Sequence, residues 1–485
     1  MLFNSIEFAV FLPLTFLLYW FVFQRSLRLQ NAFILAVSYL FYGWWDWRFL
    51  GLIFISSLAD FFIGPALYKA EDQSRRKWLL ALSLSINLGI LGFFKYYNFF
   101  VDSLVGGLSG IGVEASIHTL NIILPVGISF YTFQTLSYSI DIYRKQLQPI
   151  EEPIAFFAFV SFFPQLVAGP IERASNLLPQ FLKPRSFDYE KAADGTRQIL
   201  WGLFKKVVVA DNLAPHVDVI FANFETEGAS TLVMGAIFFA FQIYCDFSGY
   251  SDIAIGTAKL FGFDLMINFR TPYFSRDIGE FWRRWHISLS TWFRDYVYIP
   301  LGGSRTTKGR QIWNSLVTFT VSGFWHGANW TFIVWGFLNG LYYVPSILLG
   351  TAKKRGTVAE NRILPSIKEL VQMLTTFVLV TFSWIFFRAD NLTHAIGYIS
   401  NLFSASILTM PPSHRAPIPF VIILLLIEWA QRGKAHSLEM VHNRAWFRPL
   451  AYAALVLLIL LYGYDDSESF IYFHILTRSI LVPYS

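Results

Sequence analysis

Apolar runs of about twenty residues recur along the chain and are separated by short polar or basic stretches. Strands with alternating apolar and polar positions are not evident, and a run of this length can cross a bilayer as a helix. The clearest runs cover residues 8–23, 31–45, 49–68, 78–100, 331–349, 370–387, 418–429, 450–464 and 470–481. The pattern predicts an all-α polytopic membrane protein with roughly ten to thirteen membrane segments, together with re-entrant and interfacial helices.

Three apolar segments carry polar residues that are costly against lipid. Residues 124–144 contain proline, glycine and several hydroxyl groups, so we expect this segment to face protein or a wet cavity. Residues 232–261 contain Asp246 and Asp252, whose carboxylates we expect to point into the helix bundle or a cavity. Residues 201–210 contain Lys205 and Lys206 within an apolar run, which indicates an interfacial helix.

Residues 277–330 are aromatic, basic and histidine-bearing. Asp277 is placed to cap a helix, and Glu280 would complete a capping box. Side chains that recur at three- and four-residue spacing would then share one face of this helix. They are Trp282, Trp285, His286, Leu289, Phe293 and Tyr296. Pro300 and two glycines end the helix, and a second apolar run from 312 contains the sequence WHGANW at 325–330.

Composition supports the membrane assignment, because 55% of the residues are hydrophobic and only 14% are charged. Soluble domains carry about 25% charged residues, so most of the exterior must face lipid. The net charge is +6, and the basic residues lie in loops, where they orient a membrane protein. Residues 270–310 hold eight basic and three acidic residues, and we expect them to be cytoplasmic. Arg25 and Arg28 similarly place the N-terminus outside, and a nucleic-acid partner is not favoured.

Several common kinds of site find no support in the sequence. Cys245 is the single cysteine, so no intramolecular disulfide forms, and we expect a small buried thiol. His286 and His326 are too few to ligate a metal, and neither an HExxH sequence nor a cysteine pair occurs. The chain also contains no GxSxG elbow, no Walker A loop and no GxGxxG sequence after a strand. We therefore predict neither a metal nor a bound cofactor.

His326 is the strongest candidate for chemistry. It lies beside Trp325, and Gly327 would let another group approach its backbone. Asn329, three positions later, is expected to share its helical face. Desolvation at this depth favours the neutral, basic imidazole. His286, between Arg284 and Ser288, is the second candidate.

These residues leave two classes of function open. A basic, tryptophan-rich cytoplasmic mouth leading to buried imidazole suits an enzyme that takes a carrier-bound acyl or phosphorylated donor. The same arrangement suits a transporter of an anionic substrate.

Taken together, six motifs resemble the membrane-bound O-acyltransferase family, in the branch of alginate O-acetyltransferase and the teichoic acid D-alanyl transfer protein. They extend over roughly residues 90–340. The motifs are FKYYN at 94–98, LPVGISFYTF at 124–133, FPQLVAGPI at 163–171, DFSGYSD at 246–252, FWRRWH at 281–286 and GFWHGANW at 323–330. The resemblance implies one acyltransferase domain over residues 1–485, built as a helical funnel with its core at about 90–340.

The resemblance also implies a function and its participants. The family's invariant histidine corresponds to His326 and its second conserved polar position to His286. The donor would be cytoplasmic acetyl-CoA or another acyl thioester, and an extracytoplasmic acetyltransferase would modify an exported polysaccharide such as alginate at a bacterial inner membrane. D-alanyl transfer to teichoic acid and peptidoglycan O-acetylation are the alternatives. We expect neutral His326 to act as general base. The residues expected to bind or orient substrate are Trp285, Arg294, Trp325 and Asn329.

Overall fold

A computed structural model describes most of the chain. The described residues are 1–113, 119–120, 122–350, 356–409, 411, 413–439 and 447–463. The apolar run predicted at 470–481 lies outside them. Every regular element among the described residues is helical, which confirms the all-α prediction.

The chain forms two compact units. Unit one contains Met1–Gly195 and Ala254–Met266, and unit two contains Thr196–Ile253 and Ile267–Ser485. Compact units within one chain need not fold separately, so the single domain over 1–485 stays a prediction.

Several helices of unit one are capped at their N-termini by short polar side chains. Ser5, Ser26 and Asp72 each accept a hydrogen bond from a backbone N–H of the first turn that follows. The helices are α1 Ile6–Leu17, α2 Leu27–Asp46, α3 Leu50–Lys69, α4 Gln73–Leu91, α5 Tyr97–Gly110, α6 Ile128–Tyr143, α7 Pro153–Ser161, α8 Phe163–Leu166, α9 Ala174–Phe181 and the first part of α10 Tyr189–Leu203. Short π-helical stretches at Leu18–Val22 and Gly92–Tyr96 extend α1 and precede α5.

The prediction that residues 124–144 face protein is confirmed, because almost every side chain of α6 is buried. Its Ser139 donates a hydrogen bond to Asp60 of α3 at 2.8 Å. Ser83 and Asn87 of α4 donate to the same carboxylate at 2.5 and 2.8 Å. A buried carboxylate with three donors fixes three helices around one polar centre.

Unit two holds the remaining helices and a large aromatic core. They are α11 Asp211–Ala222, α12 Ala229–Leu260 (which continues into unit one), α13 Ile278–Trp282, α14 Ile287–Phe293, α15 Lys308–His326, α16 Trp330–Leu348, α17 Ile367–Arg388, α18 Leu392–Asn401, α19 Ile418–Ala430 and α20 Phe447–Tyr462. π-Helical stretches cover Phe204–Ala210 and Arg294–Tyr298. Trp335 of α16 and Trp384 of α17 stack in the core with ring centroids 5.4 Å apart.

Six segments of the described chain are long and apolar enough to cross a membrane, which confirms a multi-pass protein. They are Ile6–Arg25, Leu27–Lys69, Gln73–Gly110, Ala229–Leu260, Trp330–Leu348 and Ile367–Arg388. Three shorter apolar helices accompany them, so the predicted number of membrane segments stays a prediction. Polar composition predicts loops at residues 105–112 and 184–197. Both predictions are wrong in part, because α5 remains helical to Gly110 and α10 begins at Tyr189.

Among the charged residues predicted inside apolar segments, Lys205, Lys206 and Asp246 are buried in unit two and Asp252 is partly buried. Asp246 contacts the ammonium group of Lys206 at 2.7 Å, and Asp252 contacts that of Lys205 at 2.5 Å. This confirms that both carboxylates point into the bundle. The two lysines are not at a lipid surface, as an interfacial helix would have them, but are nearly inaccessible. Asp211 is a second partner of Lys206, at 2.7 Å.

Candidate active site

The helix predicted to begin at Asp277 exists but is interrupted before His286. The Asp277 carboxylate accepts a hydrogen bond from the Glu280 N–H at 2.7 Å, which confirms the cap. The Glu280 carboxylate does not complete the capping box, since it accepts from the Arg276 N–H at 2.9 Å and from the Arg284 guanidinium at 2.8 Å. α13 ends at Trp282, and α14 starts at Ile287. The prediction of one continuous helical face through residues 282–296 is therefore wrong.

His286 occupies the break itself, in a left-handed backbone conformation with φ 42° and ψ 56°. This conformation is uncommon for a residue with a Cβ atom and costs roughly 1–3 kcal/mol. Its imidazole is buried among aromatic rings, with ring centroids 4.6 Å from Phe247 and 6.3 Å from Phe269. Strained backbone held in a buried, specific geometry marks a candidate functional position.

The imidazole of His286 is neutral at any physiological pH. The residue lies outside the candidate spans, and burial lowers the pKa of its side chain to about 3. Its Nδ1 atom lies 3.0 Å from Oδ1 of Asn268. The other ring nitrogen, Nε2, is buried without a hydrogen-bond partner among the described residues. A buried nitrogen of this kind is a ready acceptor for a substrate hydrogen bond.

His326 is the last residue of α15 and is almost fully buried. Aromatic rings enclose its imidazole, with centroids 4.9 Å from Trp325, 5.1 Å from Trp335 and 5.4 Å from Phe387. Gly327 follows where a Cβ atom would stand 2.1 Å from the ring of Phe332, so a side chain does not fit there. The tight turn from α15 to α16 therefore requires glycine, and it sets the position of His326.

Trp325 connects the two histidines. Its ring centroid lies 6.4 Å from that of His286 and 4.9 Å from that of His326. The structure thus brings together three of the six predicted site residues in one aromatic, low-dielectric environment. Neutral imidazoles in such surroundings can accept protons or hydrogen bonds from a hydroxyl group.

The other three predicted residues are placed differently. Trp285 lies in the adjoining aromatic core, stacked on Phe281 with centroids 5.5 Å apart and 5.1 Å from the ring of Phe269, which also contacts His286. Arg294 is exposed and pairs with Asp295 at 2.6 Å. Asn329 caps α16 by accepting from the Thr331 N–H at 3.0 Å. Because α15 ends at His326, the expectation that Asn329 shares a helical face with that histidine is wrong. Their predicted roles in substrate binding stay predictions.

Sequence reasoning did not single out Asn268, Trp335 or Phe387, all of which contact a candidate histidine. Asn268 gives only a weak signal, as a polar residue between Ile267 and Phe269 just after α12. Trp335 and Phe387 look like ordinary core aromatics. No group of three or more His, Cys, Asp and Glu side chains suited to a metal ion occurs in the described part of the chain.

A family model and the sequences of known proteins both relate this chain to O-acyltransferases. Residues 144–355, which include both histidines, match the model of MBOAT, the membrane-bound O-acyltransferase family. A probable alginate O-acetylase of Azotobacter vinelandii is 41% identical over 88% of this chain and 83% of its own length. One from Pseudomonas aeruginosa is 40% identical over 83% of this chain and 75% of its own length. A peptidoglycan O-acetyltransferase of Helicobacter pylori is 35% identical over 83% of this chain and 80% of its own length.

Proposed function

Because the chain belongs to the membrane-bound O-acyltransferase family, we propose that it passes acetyl groups from a cytoplasmic thioester across the membrane for O-acetylation of an exported polysaccharide such as alginate. As a member of this family the protein is a multi-pass membrane acyltransferase, which decides against a transporter. The observation that carries the site proposal is the pair of buried histidines on either side of Trp325. Both lie in the region that the family model matches.

His326 acts as the general base in this proposal. Its neutral imidazole takes the proton of the acceptor hydroxyl while that oxygen forms a bond to the acyl carbon of the thioester. The carbon–sulfur bond then breaks, and the proton passes from the imidazole to the leaving thiolate. General-base catalysis of this kind contributes roughly 10²–10⁴-fold to the rate. The rings of Trp335 and Phe387 keep water from the imidazole.

The proposed donor is acetyl-CoA or another acyl thioester, and the proposed location is a bacterial inner membrane. The acceptor polymer lies beyond the membrane surface, so the proposal includes an extracytoplasmic acetyltransferase that takes the acetyl group onward. A polysaccharide acceptor is supported by the relatives from Azotobacter vinelandii and Pseudomonas aeruginosa, which are both named as probable alginate O-acetylases.

Peptidoglycan is the second candidate acceptor, because the Helicobacter pylori relative is named for it and matches over most of both chains. The two acceptors require the same chemistry at His326 and differ in the partner outside the membrane. Teichoic acid D-alanylation is less supported, since the Streptococcus thermophilus relative named for it is 29% identical over 60% of this chain.

The test uses purified protein in liposomes, with labelled acetyl-CoA inside and alginate or peptidoglycan fragments outside, with and without the extracytoplasmic partner. Label released from the external polymer by hydroxylamine, and absent with His326→Ala, is the expected result. Label that reaches the outside only as intact acetyl-CoA, equally in both proteins, would overturn acyl transfer. Esters on peptidoglycan and not on alginate would move the assignment to the second acceptor.

A further inference from the structure

A short backbone bridge holds both sides of the left-handed residue His286. The N–H of Arg270 donates to the carbonyl oxygen of Arg284 at 3.0 Å. The N–H of Ile287 donates to the carbonyl oxygen of Asn268 at 2.9 Å. Residues 268–270 therefore lie alongside residues 284–287 and stabilise a turn that is strained at its centre.

The side chain of Asn268 reaches into the same turn and is completely buried. Its Oδ1 atom lies 2.9 Å from Oγ of Ser288 and 3.4 Å from the backbone nitrogen of Ser288, and it faces Nδ1 of His286 at 3.0 Å. Its Nδ2 atom donates to Oγ of Ser251 in α12 at 3.1 Å. One amide thus joins α12, the backbone of the turn and the imidazole.

This arrangement determines which nitrogen of His286 carries the proton. A backbone N–H can only donate, so the Asn268 atom that faces Ser288 must be the carbonyl oxygen. The imidazole nitrogen that faces the same oxygen must then be a donor, which places the proton on Nδ1. In a neutral ring the remaining nitrogen, Nε2, carries a lone pair and no proton.

The lone pair of Nε2 is buried and has no hydrogen-bond partner within the described residues. Buried polar atoms in folded proteins nearly always have a partner, so an unmatched one indicates a ligand group. An unprotonated nitrogen accepts hydrogen bonds, and the proposed reaction requires an O–H group from the acceptor that takes the acetyl group at this site.

We propose that Asn268 is a positioning residue that fixes His286 in the Nδ1–H tautomer, so that Nε2 accepts a hydrogen bond from the acceptor hydroxyl. The inference rests on the proposed function and deepens it by giving the two histidines different tasks. His326 takes the proton, whereas His286 orients the hydroxyl. A nitrogen as weakly basic as that of His286 suits orientation better than proton transfer.

The first test observes the tautomer directly and needs no turnover. Solid-state NMR of the protein labelled with ¹⁵N-histidine in lipid bilayers separates protonated from unprotonated ring nitrogens, and His286→Asn identifies the signal. We expect a protonated Nδ1 and an unprotonated Nε2 that do not change between pH 8 and pH 5. A proton on Nε2 in the wild-type protein would overturn the inference while leaving acyl transfer untouched.

The second test compares variants of Asn268 by the same spectra and by the ester content of exported polysaccharide. Asn268→Leu should lose the fixed tautomer and lower acetylation about 10- to 100-fold, as expected for a residue that orients a functional imidazole. Asn268→Asp retains an acceptor oxygen, so it should restore the tautomer and part of the activity. Its carboxylate should also bring the protonation of His286 nearer to neutral pH.

Asn314 provides a matched control, because it is another completely buried asparagine whose side chain donates to the carbonyl oxygen of Gly303 at 3.2 Å. Asn314→Leu should leave the His286 signals unchanged. If Asn268→Leu is folded and keeps both the tautomer and the acetylation level, Asn268 is only structural. If that variant does not fold, the wild-type spectrum and Asn268→Asp still decide the question.

Discussion

Gly336 of α16 lies against Gly323 of α15 so closely that a Cβ atom on Gly336 would stand 3.0 Å from the Cα atom of Gly323. The same Cβ atom would approach the carbonyl oxygen of Phe319 to 2.4 Å. The spacing of Gly336 and Gly340 in the sequence predicts close helix packing, and this contact confirms it at Gly336. Gly323 lies about one helical turn before His326 in α15.

Replacing Gly336 by alanine should push α15 and α16 apart, because the carbonyl oxygen of Phe319 is too close to leave room for any side chain. We expect a cost of roughly 1–3 kcal/mol in stability and a loss of acetylation, since α15 carries His326. The stability cost is measured as a lower midpoint of thermal unfolding in detergent. The loss of acetylation is measured as a lower ester content of the exported polysaccharide. Gly89→Ala in α4 is the control, because a Cβ atom there meets nothing within 4 Å. Equal effects of both substitutions would argue against the packing explanation.

Replacing His326 by alanine should lower the rate of acetyl transfer roughly 10²–10⁴-fold while the protein stays folded and membrane-inserted. The reason is the loss of the proposed base. Rates are measured with labelled acetyl-CoA in proteoliposomes. His216→Ala is the control, because it removes a different imidazole, whose Nδ1 atom lies 2.9 Å from Nδ1 of His414. It should leave the rate of acetyl transfer near that of the wild type. Wild-type polymer acetylation by His326→Ala would rule out this base.

Replacing Lys206 by methionine should be among the most destabilising single changes in unit two. It removes an ammonium group that contacts both Asp211 and Asp246 at 2.7 Å in a buried site. Loss of one member of a buried ion group costs roughly 3–5 kcal/mol. The measurement is the midpoint temperature of unfolding, monitored by size-exclusion chromatography of heated samples. Adding Asp246→Asn should recover part of the loss, whereas additive losses would mean that the two side chains are not coupled.

Acid should destabilise the protein through His286. Its folded-state pKa is lowered to about 3, whereas an unfolded histidine titrates near 6.5. As the pH falls, the unfolded state therefore takes up the proton first. The contribution of His286 to the free energy of unfolding is lost as the pH falls from about 6.5 towards 3. Between pH 7 and pH 5 the loss is about 2 kcal/mol. His286→Asn should show a shallower decrease of the unfolding midpoint over this interval, and a curve parallel to that of the wild type would contradict the burial of a neutral ring.

Topology can be tested with single cysteines in a Cys245→Ala background. The Lys308 ammonium donates to the carbonyl oxygen of Leu348 at 2.7 Å, so the start of α15 and the end of α16 lie on one side. The charge pattern places that side in the cytoplasm, and α17 separates it from Ser404. A cysteine at Lys308 should therefore react only with permeant reagents in intact cells, and one at Ser404 also with impermeant reagents. The reverse pattern would invert the predicted orientation.

Sequence patterns predicted what depends on local chemistry. Helical runs, the Asp277 cap and the burial of Asp246 and Asp252 follow from period, propensity and the cost of charge in lipid. The break before His286 was not predictable, because the residues around it have a helical period, whereas the left-handed turn is stabilised by contacts with residues 268–270, which lie outside that pattern. The two buried lysines were missed for a similar reason. Their partners Asp246 and Asp252 lie forty and forty-seven positions away, and no local pattern connects them.

α15 ends at His326, and this termination has an electrostatic consequence. The peptide dipoles of a helix sum to a partial negative charge of about half an electron at its C-terminus. An imidazole in the last turn lies where that field favours positive charge, by roughly 0.3–1 kcal/mol at exposed sites and up to about 2 kcal/mol where solvent is largely excluded. When His326 takes a proton from the acceptor, the backbone of α15 would thus stabilise the imidazolium during its short lifetime.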